Sequence, residues 1–189
     1  MASTREQIIQ TTCTLLETQG YYATGLNQIV EESGAPKGSL YYYFPDGKEG
    51  LTAEAIERTG RAVAGRIHAS LAEIDAPGEA VAAFFRTIGG YVRASDFKAG
   101  GPITTVALET AGRSERLSQA CAEAYRLWQG EFRAKLVAGG MDEARAARLA
   151  SLIIAALEGA IVLSRTFHSV EPFENTGLEL RCLIETACA

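Results

Sequence analysis

Two short stretches of helical periodicity, separated by a glycine and a proline, constrain the fold of this chain more than any other feature. The first stretch places three aliphatic side chains on one helical face: Leu26, Ile29 and Val30. Gly34 can adopt the left-handed conformation that commonly ends a helix, and Pro36 sets the backbone angle for a new helical start. The pattern predicts a helix-turn-helix, with the Thr24 hydroxyl as the N-terminal cap of its first helix.

The second helix of this pair is predicted to have two different faces. Leu40 and Phe44 lie four residues apart and can pack inward. The outward face then carries a cation, a hydroxyl and phenol rings, at Lys37, Gly38, Ser39, Tyr42 and Tyr43. In a major groove, such groups can reach phosphate oxygens, base edges and thymine methyl groups. A helical hairpin with a few surface aromatic rings is the alternative, because helix-turn-helix spacing also produces false matches.

Residues 5–51 resemble the N-terminal domain of the TetR family of transcriptional repressors. The resemblance is carried by Gly20-Tyr21-Tyr22-Ala23-Thr24, Ile29, Gly34, Lys37-Gly38-Ser39-Leu40-Tyr41-Tyr42-Tyr43-Phe44 and Lys48-Glu49-Gly50-Leu51. Tyr43 stands where many members carry histidine, and Asp46-Gly47 lengthens the turn before Lys48. The resemblance implies a DNA-binding domain in residues 1–47 whose partner is double-stranded operator DNA. The expected DNA contacts come from Thr24, Pro36, Lys37, Gly38, Ser39, Tyr41, Tyr42, Tyr43 and Lys48.

The charge of the chain does not by itself favour a DNA-binding protein. The 189 residues are 47% hydrophobic and 22% charged, which is ordinary for a globular protein, but the formal net charge is −5. Acidic side chains also outnumber basic ones within residues 1–60. The DNA-binding hypothesis therefore depends on distribution: Lys37 and Lys48 bracket the second helix, and helix N-termini offer N–H groups to phosphates.

The N-terminal sequence and the cysteine spacing limit the cellular compartment and the metal or redox chemistry that we expect of this chain. The N-terminus does not resemble a signal peptide, and the longest apolar stretch, residues 149–163, is too short to span a bilayer. We therefore expect a cytoplasmic protein without a membrane partner. The four cysteines, Cys13, Cys121, Cys182 and Cys188, lack the spacing of a zinc site. The sequence predicts reduced thiols, no metal site, no cofactor and no catalytic residue.

Residues 48–189 show helical periodicity without an alternating strand pattern, so the predicted fold is all-α, a three-helix domain followed by a helical bundle. Helices are expected near residues 48–73, 78–94, 103–111, 114–138, 142–168 and 171–187, with glycine and proline at the breaks. Residues 101–109 and 157–160 resemble the regulatory domain of the lincomycin-repressor-like (LmrA/YxaF-type) branch. That resemblance implies a domain for ligand binding and dimerisation in residues 48–189.

The second domain is rich in large rings, and the resemblance implies that a small aromatic or antibiotic-like inducer binds among them. The expected ligand-binding residues are Phe85, Tyr91, Val106, Glu109, Tyr125, Trp128, Phe132 and Glu158. Glu109 and Glu158 stand in apolar helices, where an unpaired carboxylate is costly. Each ring can equally be ordinary core, and Glu158 can instead bond an internal hydroxyl or lie at a subunit contact.

The stretch of residues 149–163 is apolar on nearly every side, with small residues that permit close helix approach. A helix of this kind needs burial all round, which a partner subunit can provide. Together with the last helix, it predicts a homodimer interface formed by Ile153, Ala156, Leu157, Ala160, Ile161, Leu180 and Ile184. A central helix within a monomer is the alternative.

These observations predict a homodimeric transcriptional repressor controlled by a small molecule, with the helix near residues 48–73 linking its two activities. In one alternative, the second domain only dimerises. In another, the chain is a helical-bundle enzyme with Glu109 or Glu158 as a general base. The enzyme alternative is the weaker one, because no nucleophile, metal set or cofactor loop accompanies those acids.

Overall fold

The computed structural model describes residues 3–101 and 103–188, and within these residues the chain is helical, without strands. The helices are α1 (Thr4–Ala23), α2 (Leu26–Ser33), α3 (Lys37–Tyr43), α4 (Gly47–Ala72), α5 (Pro77–Ala94), α6 (Thr104–Thr110), α7 (Glu115–Ala138), α8 (Glu143–Phe167) and α9 (Glu171–Cys188). The all-α prediction is confirmed. Each helix expected beyond residue 47 begins and ends within one residue of the observed bounds.

The chain divides into two compact units. The first contains the residues up to Arg61 together with Gly101–Ala124, and the second contains Ala62–Gly100 and the residues from Tyr125 onward. Helices α4 and α7 each contribute to both units. Because α6 and the first half of α7 pack within the first unit, the division by packing does not fall at residue 47. The functional boundary at that residue stays a prediction.

Helix α1 organises the first unit and packs against α2, α3 and α6. The Ser3 side chain accepts a hydrogen bond from the backbone N–H of Glu6 at 3.3 Å, as expected for an N-terminal cap. The aliphatic side chains of α1 that fill the core are Ile8, Ile9, Leu15 and Leu16. Gly20 interrupts the helix with φ 80° and ψ −175°, a conformation open to glycine but not to other residues.

The helix-turn-helix has the expected turn but a different start. Gly34 adopts the left-handed conformation, with φ 66° and ψ 13°, and Pro36 precedes the first residue of α3. The prediction that Thr24 caps α2 is wrong, because Gly25 occupies the cap position without a side-chain hydrogen bond. The Thr24 hydroxyl instead donates to the Gly20 carbonyl at 2.6 Å, and the residue is buried.

The second unit is built on contacts of α5 with α9 and α8, and of α8 with α9. Its core contains an edge-to-face pair of Phe84 and Phe132, with ring centroids 5.5 Å apart, and a second pair of Phe85 and Phe173 at 6.5 Å. Rings packed edge to face in this way stabilise a core beyond the area that they bury.

The predicted dimer interface has little exposed surface in its own chain. Six of its seven residues are buried within their own chain, namely Ile153, Leu157, Ala160, Ile161, Leu180 and Ile184, and Ala156 is half-buried. The six buried side chains lie in the core of the second unit and leave little surface for a partner subunit, so this interface stays a prediction. The exposed face of α8 carries a different apolar set, Leu152, Ala155, Gly159, Val162 and Leu163.

The composition of α8 explains why the sequence pattern did not distinguish its two faces. The helix has 25 residues, and its mean hydropathy reaches 1.9 over an 18-residue window, so length and composition alone would allow it to cross a membrane. One face of α8 nevertheless packs in a protein core. A core helix with an apolar outer face has the same composition as a spanning helix, so this property is weak evidence for a membrane.

Candidate nucleic-acid interface

Helix α3 holds its inner face in the core and displays its tyrosines outside. Leu40 is fully buried, and Phe44 directly after the helix is 4% exposed, whereas Tyr42 is 80% exposed and Tyr41 is 64% exposed. The rings of Tyr42 and Tyr43 meet edge to face with centroids 5.1 Å apart. The ring of Tyr43 also meets that of Phe44 at 6.5 Å, so the two buried anchors fix the orientation of an aromatic surface whose most exposed rings are those of Tyr41 and Tyr42.

The structure brings seven of the nine predicted DNA-contacting residues together on and next to α3. Pro36, Lys37 and Gly38 are exposed beside the tyrosines, and Ser39 is half-buried. No atom lies within 4 Å of the position that a Cβ at Gly38 would occupy, so the backbone there is open to a close approach. Lys37, Ser39 and the three tyrosines thus supply donors and rings on one short helix.

Thr24 and Lys48 are placed differently from the other seven. The Thr24 side chain is buried and its hydroxyl is bonded to Gly20, so it is not available to DNA. The Lys48 ammonium lies over the ring of Tyr21, 4.2 Å from the centroid. Burial lowers the pKa of Lys48, and the carboxylate of Glu109 opposes that shift. Thr24 and Lys48 therefore make contacts with the end of α1, next to the helix-turn-helix.

Glu109, one of the predicted ligand-binding residues, binds the end of α1. Its Oε2 accepts hydrogen bonds from the backbone N–H groups of Tyr21 at 2.7 Å and Tyr22 at 3.1 Å. These groups follow the interruption at Gly20. A carboxylate in an apolar helix needs a partner, and Glu109 has one in the backbone of a helix 88 residues away. Its part in a ligand site stays a prediction.

Further polar contacts join the start of α7 to the first unit. Arg116 pairs with Asp46 at 2.8 Å, and the Ser114 hydroxyl donates to Glu49 at 2.5 Å. The carboxylate of Asp46 raises the pKa of the Arg116 guanidinium. The longer turn at Asp46 therefore provides a charged contact for α7, a role that local sequence pattern does not indicate.

The residues predicted to bind a ligand are divided between the two units. Val106 and Glu109 belong to the first, and the other six belong to the second. Phe85, Trp128 and Phe132 are buried there, Tyr91 is exposed, and Tyr125 and Glu158 are half-buried. The Tyr125 and Trp128 rings meet edge to face at 5.2 Å. Among the described residues, no group of three or more histidine, cysteine or acidic side chains could hold a metal ion.

A helix-turn-helix with an exposed, tyrosine-rich second helix in an all-α chain defines a DNA-binding regulator. Residues 8–55 match the family described as bacterial regulatory proteins, tetR family, and residues 77–179 match the LmrA/YxaF-like C-terminal domain of transcriptional regulators. The chain belongs to the TetR family of regulators and has an LmrA/YxaF-like C-terminal domain. The enzyme alternative is wrong, because the family and its members are transcriptional regulators.

Two relatives from Bacillus subtilis (strain 168) extend the match over most of the chain. The uncharacterized HTH-type transcriptional regulator YxaF is 43% identical over 168 residues, which cover 89% of this chain and 88% of that protein. The HTH-type transcriptional regulator LmrA is 39% identical over 168 residues, covering 89% of each chain.

Solved structures agree with the fold. A TetR transcriptional regulator from Chloroflexus aurantiacus is 28% identical, with a TM-score of 0.80 and coverage of 96% of this chain and 94% of that one. The reduced form of NemR from E. coli has a TM-score of 0.82 at 22% identity, covering 94% and 95%. TetR-family regulators bind operator DNA and form dimers.

Proposed function

We propose that this regulator is a repressor that binds operator DNA as a homodimer through α3 and leaves it when a small aromatic or antibiotic-like molecule binds. The observation that carries the proposal is the exposed face of α3, where Tyr42 is 80% exposed while Leu40 beneath it is fully buried. Contiguous exposed rings commonly mark a surface that binds a partner, and three adjacent tyrosines beside a lysine form such a surface on α3.

The chemistry of this face suits the major groove. The Lys37 ammonium and the Ser39 hydroxyl can donate to base edges or phosphate oxygens. The rings of Tyr41 and Tyr42 can contact thymine methyl groups, and their hydroxyls can reach the phosphate backbone. The proposed DNA-contacting set is therefore Pro36, Lys37, Gly38, Ser39, Tyr41, Tyr42 and Tyr43. Thr24 and Lys48 support this set through their contacts with the end of α1. A protein whose partner is genomic DNA acts in the cytoplasm.

We assign the dimer contact to the outer face of α8 and α9. Leu152, Val162 and Leu163 on α8 and Leu178 on α9 are each about half exposed, and Ala155 and Gly159 between them present little side chain. Two copies of such a face can approach closely across a two-fold axis. An apolar face of this kind is unfavourable in water, which supports its burial against a second copy.

Two readings of the second unit remain, and each has support. The number of rings in it, with exposed Tyr91 and half-buried Tyr125, supports a site for an aromatic ligand. The close packing of Phe85, Trp128 and Phe132 supports the other reading, in which the unit only dimerises. In that case no small molecule would stabilise the protein.

Selection from a random pool of DNA duplexes tests operator binding directly. The expected result is one enriched palindromic sequence whose half-sites lie about one helical turn apart, because a dimer presents two α3 helices. Failure to enrich any sequence with the wild-type protein would contradict the proposal. Thermal melting against a panel of aromatic and antibiotic-like compounds then separates the two readings, since a ligand at one hundred times its Kd stabilises by about 2.7 kcal/mol.

A further inference from the structure

We propose that Glu109 is a positioning residue for operator recognition, which sets the orientation of the helix-turn-helix from α6 without touching DNA. The inference rests on the proposed function, in which α3 reads the operator. It follows from the contacts of one carboxylate with a helix interruption.

The interruption of α1 at Gly20 leaves backbone donors that need an acceptor. Gly20 has φ 80° and ψ −175°, so the helical turn that follows it has lost the usual partners of its first N–H groups. One oxygen of Glu109 accepts from two of them, Tyr21 N–H at 2.7 Å and Tyr22 N–H at 3.1 Å. Glu109 therefore does from a distant helix what a capping side chain usually does from the preceding residue.

The approach of α6 to this point is close enough to require glycine. A Cβ built at Gly20 would lie 2.6 Å from the Thr105 Cγ2 and 2.7 Å from the Glu109 Oε1. The positive φ excludes other residues independently of the space. The missing side chain and the positive φ of Gly20 therefore both allow α6 to pack directly against the end of α1.

The same few residues lead directly into the helix-turn-helix. The Gly20 carbonyl accepts from the Thr24 hydroxyl at 2.6 Å, immediately before α2 begins. The Gln19 amide donates to the Ala23 carbonyl at 3.0 Å and to the Gln28 side chain on α2 at 2.8 Å. Any shift of Glu109 relative to α1 therefore changes the direction in which the chain enters α2 and, beyond the turn, α3.

A cation, Lys48, completes the arrangement at the end of α1. The Lys48 ammonium lies over the Tyr21 ring, and the charge of Glu109 favours its protonated form. Both Glu109 and Lys48 act on the residue that follows Gly20, one through its N–H group and the other through its ring. The end of α1 is held between α6 and the first turn of α4.

The test replaces Glu109 and compares specific with non-specific DNA binding. Glu109→Ala leaves two N–H groups without their acceptor and is expected to weaken operator binding about tenfold or more, the equivalent of one charge-assisted hydrogen bond of about 1.4 kcal/mol. Affinity for a non-operator duplex should not fall, because non-specific binding depends on attraction to the phosphate charge and not on the orientation of α3. Glu109→Gln keeps an acceptor oxygen and should recover most of the operator affinity.

Glu115→Gln is the matched control. Glu115 is an exposed carboxylate in the same unit, bonded to Gln119 one turn along α7, and its replacement should leave operator binding unchanged. Hydrogen exchange provides a readout that does not depend on DNA. The amides of Tyr21 and Tyr22 should exchange faster in Glu109→Ala than in the wild type. The exchange rates of amides in the buried part of α1 should stay the same.

Several results would overturn the inference. Wild-type operator affinity in Glu109→Ala would do so, as would equal losses of operator and non-operator affinity together with a large fall in melting temperature, which would indicate a role in stability alone. An unchanged exchange rate of the Tyr21 and Tyr22 amides in Glu109→Ala would show that Glu109 does not act as their hydrogen-bond acceptor. If the wild type binds no selected duplex, the proposed function fails, and hydrogen exchange still reports separately whether Glu109 holds the end of α1.

Discussion

Two adjacent residues of α8 offer a sharp test of which face of this helix meets a partner subunit. Val162 is 51% exposed, whereas Ile161 is 3% exposed. A glutamate at Val162 adds a charge to the outer face and should leave the isolated chain folded. A glutamate at Ile161 places the same charge in the core of the second unit.

The magnitudes of the two changes differ widely. Val162→Glu removes about 1 kcal/mol of apolar burial from each subunit if the dimer covers the remaining half of the side chain, and it adds two carboxylates that must lose water on association. Dimer dissociation should become about a hundredfold easier or more, which corresponds to about 2.7 kcal/mol. Ile161→Glu loses about 2–5 kcal/mol of core packing and also buries a charge, against a total stability of about 5–15 kcal/mol.

Sedimentation and thermal melting distinguish the outcomes. Val162→Glu should sediment as a monomer at micromolar concentration while retaining its helical circular dichroism, and it should bind a palindromic operator weakly. Ile161→Glu should be unfolded or melt far below the wild type. A dimeric Val162→Glu protein with wild-type operator affinity would refute the assignment of the dimer contact to this face of α8.

Three further predictions concern α3, the thiols and pH. Tyr42→Ala should weaken operator binding by about 1–3 kcal/mol at fixed salt without lowering the melting temperature, since the exposed ring has no core role; equal affinity would remove it from the DNA-reading face. Burial raises the pKa of the Cys121 thiol to about 11, so a thiol reagent at pH 8 should modify exposed Cys182 well before Cys121, as read by peptide mass spectrometry; comparable rates would contradict this burial. The Arg86 hydrogen bond holds the pKa of Glu79 below its usual value, so this contribution to stability is present above the ordinary glutamate pKa and is lost as pH falls through the lower one. The melting temperature of Glu79→Gln should therefore fall less steeply on acidification than that of the wild type, and parallel curves would argue against the contribution.

Local pattern predicted the helices and the turn of the helix-turn-helix well, because those features depend on neighbours in sequence. The left-handed Gly34, the start at Pro36 and the buried anchors Leu40 and Phe44 all follow from residue type and a period of 3.6. The candidate reading face was predictable for the same reason. Once two side chains of a short helix are buried, the opposite face is settled by geometry.

The contacts that local pattern did not predict depend on which distant group comes near. An acidic residue in an apolar helix signals an unknown partner, and sequence spacing does not reveal that Glu109 meets the backbone of Tyr21. Thr24 has the residue type of a helix cap, but its hydroxyl donates to the Gly20 carbonyl at the interruption of α1. In both cases a hydrogen bond made available by tertiary packing outweighed the local preference.

The sequence by itself determined an all-α chain, the bounds of the helices beyond residue 47 to within one residue, and most of the residues that α3 displays, although Tyr41, at 64% exposed, lay outside the predicted outward face. Only the tertiary structure decided which side of α8 is core, because a helix that is apolar all round has no hydrophobic face to detect, and its contacts with α5 and α9 select Ile161 rather than Val162. The packing of α6 on α1 was likewise decided in three dimensions. Its physical basis is a glycine without a side chain and two N–H groups that needed an acceptor, supplied by a carboxylate far along the chain.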